Sequence, residues 1–154
     1  MVTKNQNIKY VNQDCLKSYE FFCLIDCLID TIDLMGVFEL NIQLKIENCI
    51  INNLRIHSCW FVKGLILKNC VVRGYVDYQM GGHNNDPIII EGNVFTEFLN
   101  FFDCHFVNNI ELRNNVFIKG TNLLGNKGEG FENSFIEGWL VENNIGNVSV
   151  NGVS

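Results

Sequence analysis

The chain has 154 residues, 47% of them hydrophobic, with no alanine, one proline and 23 asparagines. Alanine is the best helix former and asparagine favours turns, so the composition argues against a helical bundle and for strands joined by tight turns. A net charge of -6 with 11 basic residues in no Lys/Arg run argues against a phosphate-backbone binder, and seven cysteines without a CxxC pair argue against a zinc ribbon or a complete disulfide framework.

The first segment, MVTKNQNIKYVNQD, lacks an apolar core and does not read as a signal peptide. Residues 1–25 are expected to form an N-terminal cap, protecting the edge of the first coil. KSYEFFCLIDCLID also fits one amphipathic helix, with Phe21, Leu24, Leu28 and Ile32 on a face. The gap-free alignment of DCLIDTIDLM from Asp26 on NCIINNLRIH from Asn48 favours strand from residue 26 onward. Asp26, Asp30 and Asp33 interrupt the most apolar run, residues 21–40, so no membrane span is expected there and the cytoplasm is the default location.

The chain is a repeat. Segments start near 14, 26, 36, 48, 58, 69, 80, 92, 103, 114, 126, 133 and 143, ten to twelve residues long except for the seven-residue piece at 126, with those at 80 and 126 the weakest. Two segments make a unit of 19–23 residues in which apolar positions alternate rather than recur at the helical period. Alternation with a coil of that length predicts an all-β parallel β-solenoid of about six coils over residues 26–154. Cys49, Ile51, Leu54 and Ile56 are predicted to point inward, followed by Cys59, Phe61, Leu65 and Leu67. Six cysteines follow Asp, Asn or Ser (Cys15, Cys27, Cys49, Cys59, Cys70, Cys104), which marks them as small buried residues of the repeat. Asn48, Asn69, Asn114 and Asn133 are predicted to stack at one corner. Residues 79–87, with the only proline, and 121–130 are the expected protruding loops. NVSVNGVS reads as a bare final strand whose open edge could pair with a second copy.

These residues resemble the right-handed parallel β-helix (pectin-lyase-like) proteins over about 14–154, and the resemblance implies a right-handed coil. Cys59/Phe61, Cys104/Phe106 and Asn115/Phe117 also resemble the small-then-large pair of the pentapeptide-repeat family, although the period here is ten to twelve rather than five. Some pentapeptide-repeat proteins mimic DNA, and carbohydrate-active β-helix proteins carry acidic and basic residues on neighbouring coils.

The third residue of alternate segments falls between two inward positions and should face out. In that series stand Leu28, Ile50, Val71, Val94, Val116 and Phe135, an apolar outer stripe of a kind a monomer seldom exposes. A covering loop, or a register off by one, would be the bland account of it; Trp60 either extends the patch or packs a corner. The reading is a non-catalytic binding or assembly module, a homo-oligomer, most simply a dimer, with a further protein or glycan partner open. Asp33, Arg55 and Asp77 stack on successive coils and form the set to suspect if the chain is carbohydrate-active. Alternating signs also serve simply to keep like charges apart, as for Lys45, Lys68, Glu91 and Arg113. An acidic DNA mimic is a second alternative, against which the alternation of sign counts. His83 and His105, one coil apart, are too few for a metal site, and adjacent Cys104 and His105 point to opposite faces of a strand. No cofactor, metal, nucleic acid or membrane is expected.

Overall fold

Alternation in the sequence becomes alternation of inside and outside. In Gln43–Glu47 the side chains of Leu44 and Ile46 are buried while Lys45 and Glu47 are half-buried, and Leu65 and Leu67 repeat the pattern one turn later. The structure, a computed structural model describing residues 1–152, is an all-β parallel solenoid of about five turns. A seven-stranded parallel sheet stacks Val2–Lys4, Phe21–Ile25, Gln43–Glu47, Leu65–Lys68, Ile88–Glu91, Ile110–Arg113 and Trp139–Glu142. A six-stranded parallel sheet stacks Asn7–Asn12, Leu28–Asp33, Ile50–Arg55, Val71–Val72, Val94–Phe95 and Val116–Phe117. Its six rungs enclose five turns. Short paired strands complete the wall, Val76–Asp77 with Leu99–Asn100 and His105–Phe106 with Ser134–Phe135.

All eight residues predicted to point inward between Cys49 and Leu67 are buried. Like stacks on like through the bore: Ile29 on Ile51 on Val72 on Phe95 on Phe117, with the last two rings stacked at 5.3 Å between centroids. Burying such a side chain contributes roughly 1.5–3 kcal/mol, so these columns are the main source of stability.

The corner leading into the six-stranded sheet is made by two residues with different tasks. Asp26, Asn48, Asn69 and Asn114 adopt left-handed backbone with φ of 53–57°, and Gly92 takes the same place at 70°. Asn, Asp and Gly tolerate that region best. The residue after each of these is buried and hydrogen-bonded along the axis. The backbone N–H of Cys27 meets Sγ of Cys49 and that of Cys49 meets Sγ of Cys70, each at 3.4 Å. Cys70 N–H then donates to Oδ1 of Asn93, Asn93 N–H to Asn115 and Asn115 N–H to Asn144, at 2.8–2.9 Å. The buried ladder therefore lies one residue after the predicted column, because the first residue is selected for its φ and the second for its acceptor. The cysteines are more than filler, since Cys49 and Cys70 stand where Asn93 and Asn115 stand later. Cys15 is the exception to burial; it is exposed on the four-residue helix Gln13–Leu16, held to Oδ1 of Asn12.

At the N-terminal end, Val2–Lys4 and Asn7–Asn12 pair with the next rung of each sheet. Only the short helix departs from the repeat, and its Leu16 is fully buried where a third-side strand would otherwise close the coil. At the other end one expectation is corrected, that of turn length. Rungs are 21–23 residues apart up to Asn115, but the step from Asn115 to Asn144 is 29. The insertion puts Asn133 and Phe135 on the third side, beside Cys104 and Phe106, while Asn143 and Asn144 take the corner. Of NVSVNGVS, residues 147–152 form no strand, although Leu124 N–H donates to Val148 and Val150 N–H to Thr121; residues 153–154 lie outside the described residues.

Candidate functional site

Leu28, Ile50, Val71, Val94 and Val116 occupy one column of the six-stranded sheet in unbroken register. At about 4.8 Å per rung the column is about 19 Å long. Leu28 is 44% exposed and Ile50 36%, and the three valines are half-buried. Beyond Val116 the column continues through an isolated bridge to Ile145, which is 68% exposed. Phe135 does not belong to it. Its ring stacks on Phe106 at 5.5 Å and 9°, on the third side. Sequence reasoning misses Ile145 because the 29-residue turn displaces the count.

Polar ladders border this column on both flanks. On one side runs the left-handed corner, where Asn48 Nδ2 donates to Asp26 at 3.2 Å. On the other, Asn52 Nδ2 donates to Asp30 at 3.3 Å and Arg73 Nη1 donates to Asn52 at 3.0 Å. Among the described residues the strands of the stripe hydrogen-bond from rung to rung. An apolar centre with a polar rim is the make-up of a protein interface.

The set suspected of carbohydrate chemistry is held in turns. Asp33 Oδ2 accepts from Arg55 Nη1 at 2.9 Å and from the Tyr10 hydroxyl at 3.2 Å, and Oδ1 accepts from Met35 N–H at 3.3 Å. Asp33 and Arg55 are cross-rung partners, in line with their spacing. Asp77 faces His57 Nδ1 at 2.9 Å and accepts from Gln79 N–H at 3.0 Å. Asn100, the partner of Asp77 on the next rung, repeats this turn, its Oδ1 accepting from Phe102 N–H at 3.2 Å. An uncharged residue doing the same work one rung later identifies a corner-fixing role.

Charges on the seven-stranded sheet alternate in register: Glu47, Lys68, Glu91, Arg113 and Glu142. Lys68 Nζ is 2.8 Å from Glu91, Arg113 Nη2 is 3.0 Å from Glu111 and 3.5 Å from Glu91, and Lys45 pairs with Glu47 at 2.7 Å. Lys68 holds the Glu91 carboxyl below its ordinary range.

Trp60 lies on the third side, in an outer aromatic stack. Phe38 meets it edge-on at 5.0 Å, His83 lies 4.0 Å beyond it, and His105 a further 5.3 Å along. His105 Nδ1 is 2.6 Å from Ser134 Oγ. Gly82 bridges to the backbones of both Trp60 and His105, and the next residue, His83, with φ of 52°, donates its N–H to the His105 carbonyl. The Trp60 and His83 rings are tilted by 31° and those of His83 and His105 by 49°. Among the described residues no group of three or more His, Cys, Asp and Glu could hold a metal ion. Cys104 points inward, as expected beside an outward His105; its thiol donates to the Tyr78 carbonyl at 3.0 Å, and burial pushes its pKa far up. No helix among the described residues is long and apolar enough to cross a membrane.

No known protein family, curated protein or solved structure matches this chain.

Proposed function

We propose that the protein is a non-catalytic assembly module, a rigid parallel solenoid that self-associates laterally through the column Leu28, Ile50, Val71, Val94 and Val116. One observation carries this reading: the column is continuous, apolar and framed by hydrogen-bonded polar ladders. Rung spacing is the same in every copy, so two such columns packed about a two-fold axis match each other over their whole length. Removing apolar area from water at about 25 cal/mol per Å² supplies the driving force. Architecturally the reading places the chain beside the right-handed, pectin-lyase-like β-helices, supported by turns of 21–23 residues and a buried amide ladder. A square pentapeptide coil finds less support in that turn length. Cytoplasmic residence belongs to the same reading, supported by seven free cysteines.

The carbohydrate-active alternative is weakened by the turn-fixing bonds of Asp33 and Asp77. The DNA-mimic alternative is weakened by the sign alternation along Glu47, Lys68, Glu91 and Arg113.

Light scattering tests the proposal. The native chain is expected to be at least a dimer, and Ile50→Lys with Val94→Lys is expected to remove lateral pairing while the urea midpoint stays nearly unchanged. A folded variant of unchanged solution mass would overturn it.

A further inference from the structure

The two ends of the solenoid complement each other. Among the described residues, Val2–Lys4 pairs on one edge only, with Phe21–Ile25, and Trp139–Glu142 on one edge only, with Ile110–Arg113. Large exposed apolar side chains gather at these ends, Met1, Val2 and Phe21 at one and Trp139, Leu140 and Ile145 at the other. Trp139 is in an inward column, on Ile110, and is 48% exposed, with no rung above it among the described residues.

We infer that a second copy docks head to tail, its Val2–Lys4 edge adding the next strand to the Trp139–Glu142 edge. The occupant is identified by the columns. Inside one chain, Val2 shares a column with Cys23, Lys45, Ile66, Ile89, Glu111 and Leu140. Continuing each column by one rung sets Val2 on Leu140, Thr3 on Val141 and Lys4 on Glu142. Val2 then meets an apolar residue, Leu140, and the alternating column Glu47, Lys68, Glu91, Arg113, Glu142 receives the lysine that its rhythm calls for. The corner matches as well. Asn5 falls on Asn143, both left-handed with φ of 54°, and Gln6 falls on Asn144. Along the ladder the N–H of Asn93 and that of Asn115 are each met by a side chain of the following rung, and Gln6 carries an amide oxygen to meet Asn144.

Charge acts in the same sense over the whole of each end. Residues 1–20 hold three lysines and two acids, whereas residues 121–152 hold one lysine and four glutamates. A lysine on an edge strand ordinarily blocks pairing. Here it faces a glutamate in the register that also matches the two left-handed corners. Because donor and acceptor surfaces differ, the contact is heterologous and does not close, so it yields an open series of rods rather than a dimer. It is independent of the lateral column.

Sedimentation velocity against concentration, on the background Ile50→Lys plus Val94→Lys, separates this contact from lateral pairing. That chain is expected to give a concentration-dependent series of elongated oligomers. Lys4→Glu or Glu142→Lys alone should weaken the association about tenfold. Combining both in one chain should restore it, and so should an equimolar mixture of the two single variants, in which each glutamate again meets a lysine. Local damage to either end could not be repaired by mixing. A background chain that stays monomeric to millimolar concentration, or two single variants that fail to complement, would overturn the inference.

Discussion

The backbone N–H of Cys70 donates to Oδ1 of Asn93 across one rung at 2.8 Å, and Nδ2 of the same amide donates to the Leu67 carbonyl at 2.8 Å. One rung earlier a thiol does a weaker version of both jobs. Sγ of Cys70 meets the N–H of Cys49 at 3.4 Å and the Ile46 carbonyl at 3.7 Å. Asn93 is fully buried, so its loss strands groups that water cannot reach. Asn93→Ala is expected to cost about 2–3 kcal/mol by urea unfolding, the penalty for leaving a buried donor and acceptor unpaired. Asn93→Cys keeps a weak acceptor and donor and should cost less than half as much. Equal losses for the two variants would mean that the ladder contributes through side-chain volume and not through hydrogen bonds.

That ladder also marks where the sequence is legible and where it is not. Period-two alternation distinguishes inside from outside locally, which is why Ile51, Leu54, Phe61 and Leu67 read as inward and why Leu28, Ile50, Val71, Val94 and Val116 fall in one outer column. Asparagine is ambiguous, because its amide suits a buried ladder and its backbone tolerates a left-handed corner. Asn48 and Asn69 do the second job; Asn93 and Asn115 do the first. The pairs Asn48-Cys49, Asn69-Cys70, Gly92-Asn93 and Asn114-Asn115 carry the distinction, since the second member is always Cys or Asn. Counting from a fixed period then fails at the 29-residue turn, and Phe135 is assigned outward when it stacks on Phe106. The pairing of Asp33 with Arg55 is legible in the spacing, but the turn-fixing bonds of Asp33 and Asp77 to the Met35 and Gln79 N–H groups depend on corner geometry that alternation does not encode.

A tight approach on the third side gives a second expectation. Gly82 is buried with φ of 88°, and a Cβ there would overlap the carbonyl of His105 on the next rung. The His83 N–H bond to the His105 carbonyl and the His105 N–H bond to the Gly81 carbonyl bracket that point. Gly82→Ala therefore has to separate two rungs as well as adopt a left-handed backbone. It is expected to cost more than about 2 kcal/mol and to accelerate amide exchange at His83 and His105. Gly36 is the control, with φ of 67° and no heavy atom within 4 Å of the position a Cβ would take. Gly36→Ala should cost only the backbone term, about 1 kcal/mol. Similar losses at the two sites would show that rung contact at Gly82 contributes nothing beyond φ.

The aromatic stack predicts a dependence on pH. Burial lowers the pKa of His83, and His105, 5.3 Å away, lowers it further, while Trp60 covers its other face. The folded protein thus binds a proton at His83 less readily than the unfolded chain, whose imidazole titrates near its ordinary value of about 6.5. Stability is then greatest above that value, begins to fall as pH drops below about 6.5, and stops falling on this account once pH is below the lowered folded value. The slope cannot exceed that of one proton, about 1.4 kcal/mol per pH unit. His83→Asn keeps a residue that tolerates φ of 52° and removes the titration. Urea midpoints measured between pH 5.5 and 7.5 should therefore rise more steeply with pH for the native chain than for His83→Asn. Parallel profiles would show that protonation of His83 is not resisted by the fold.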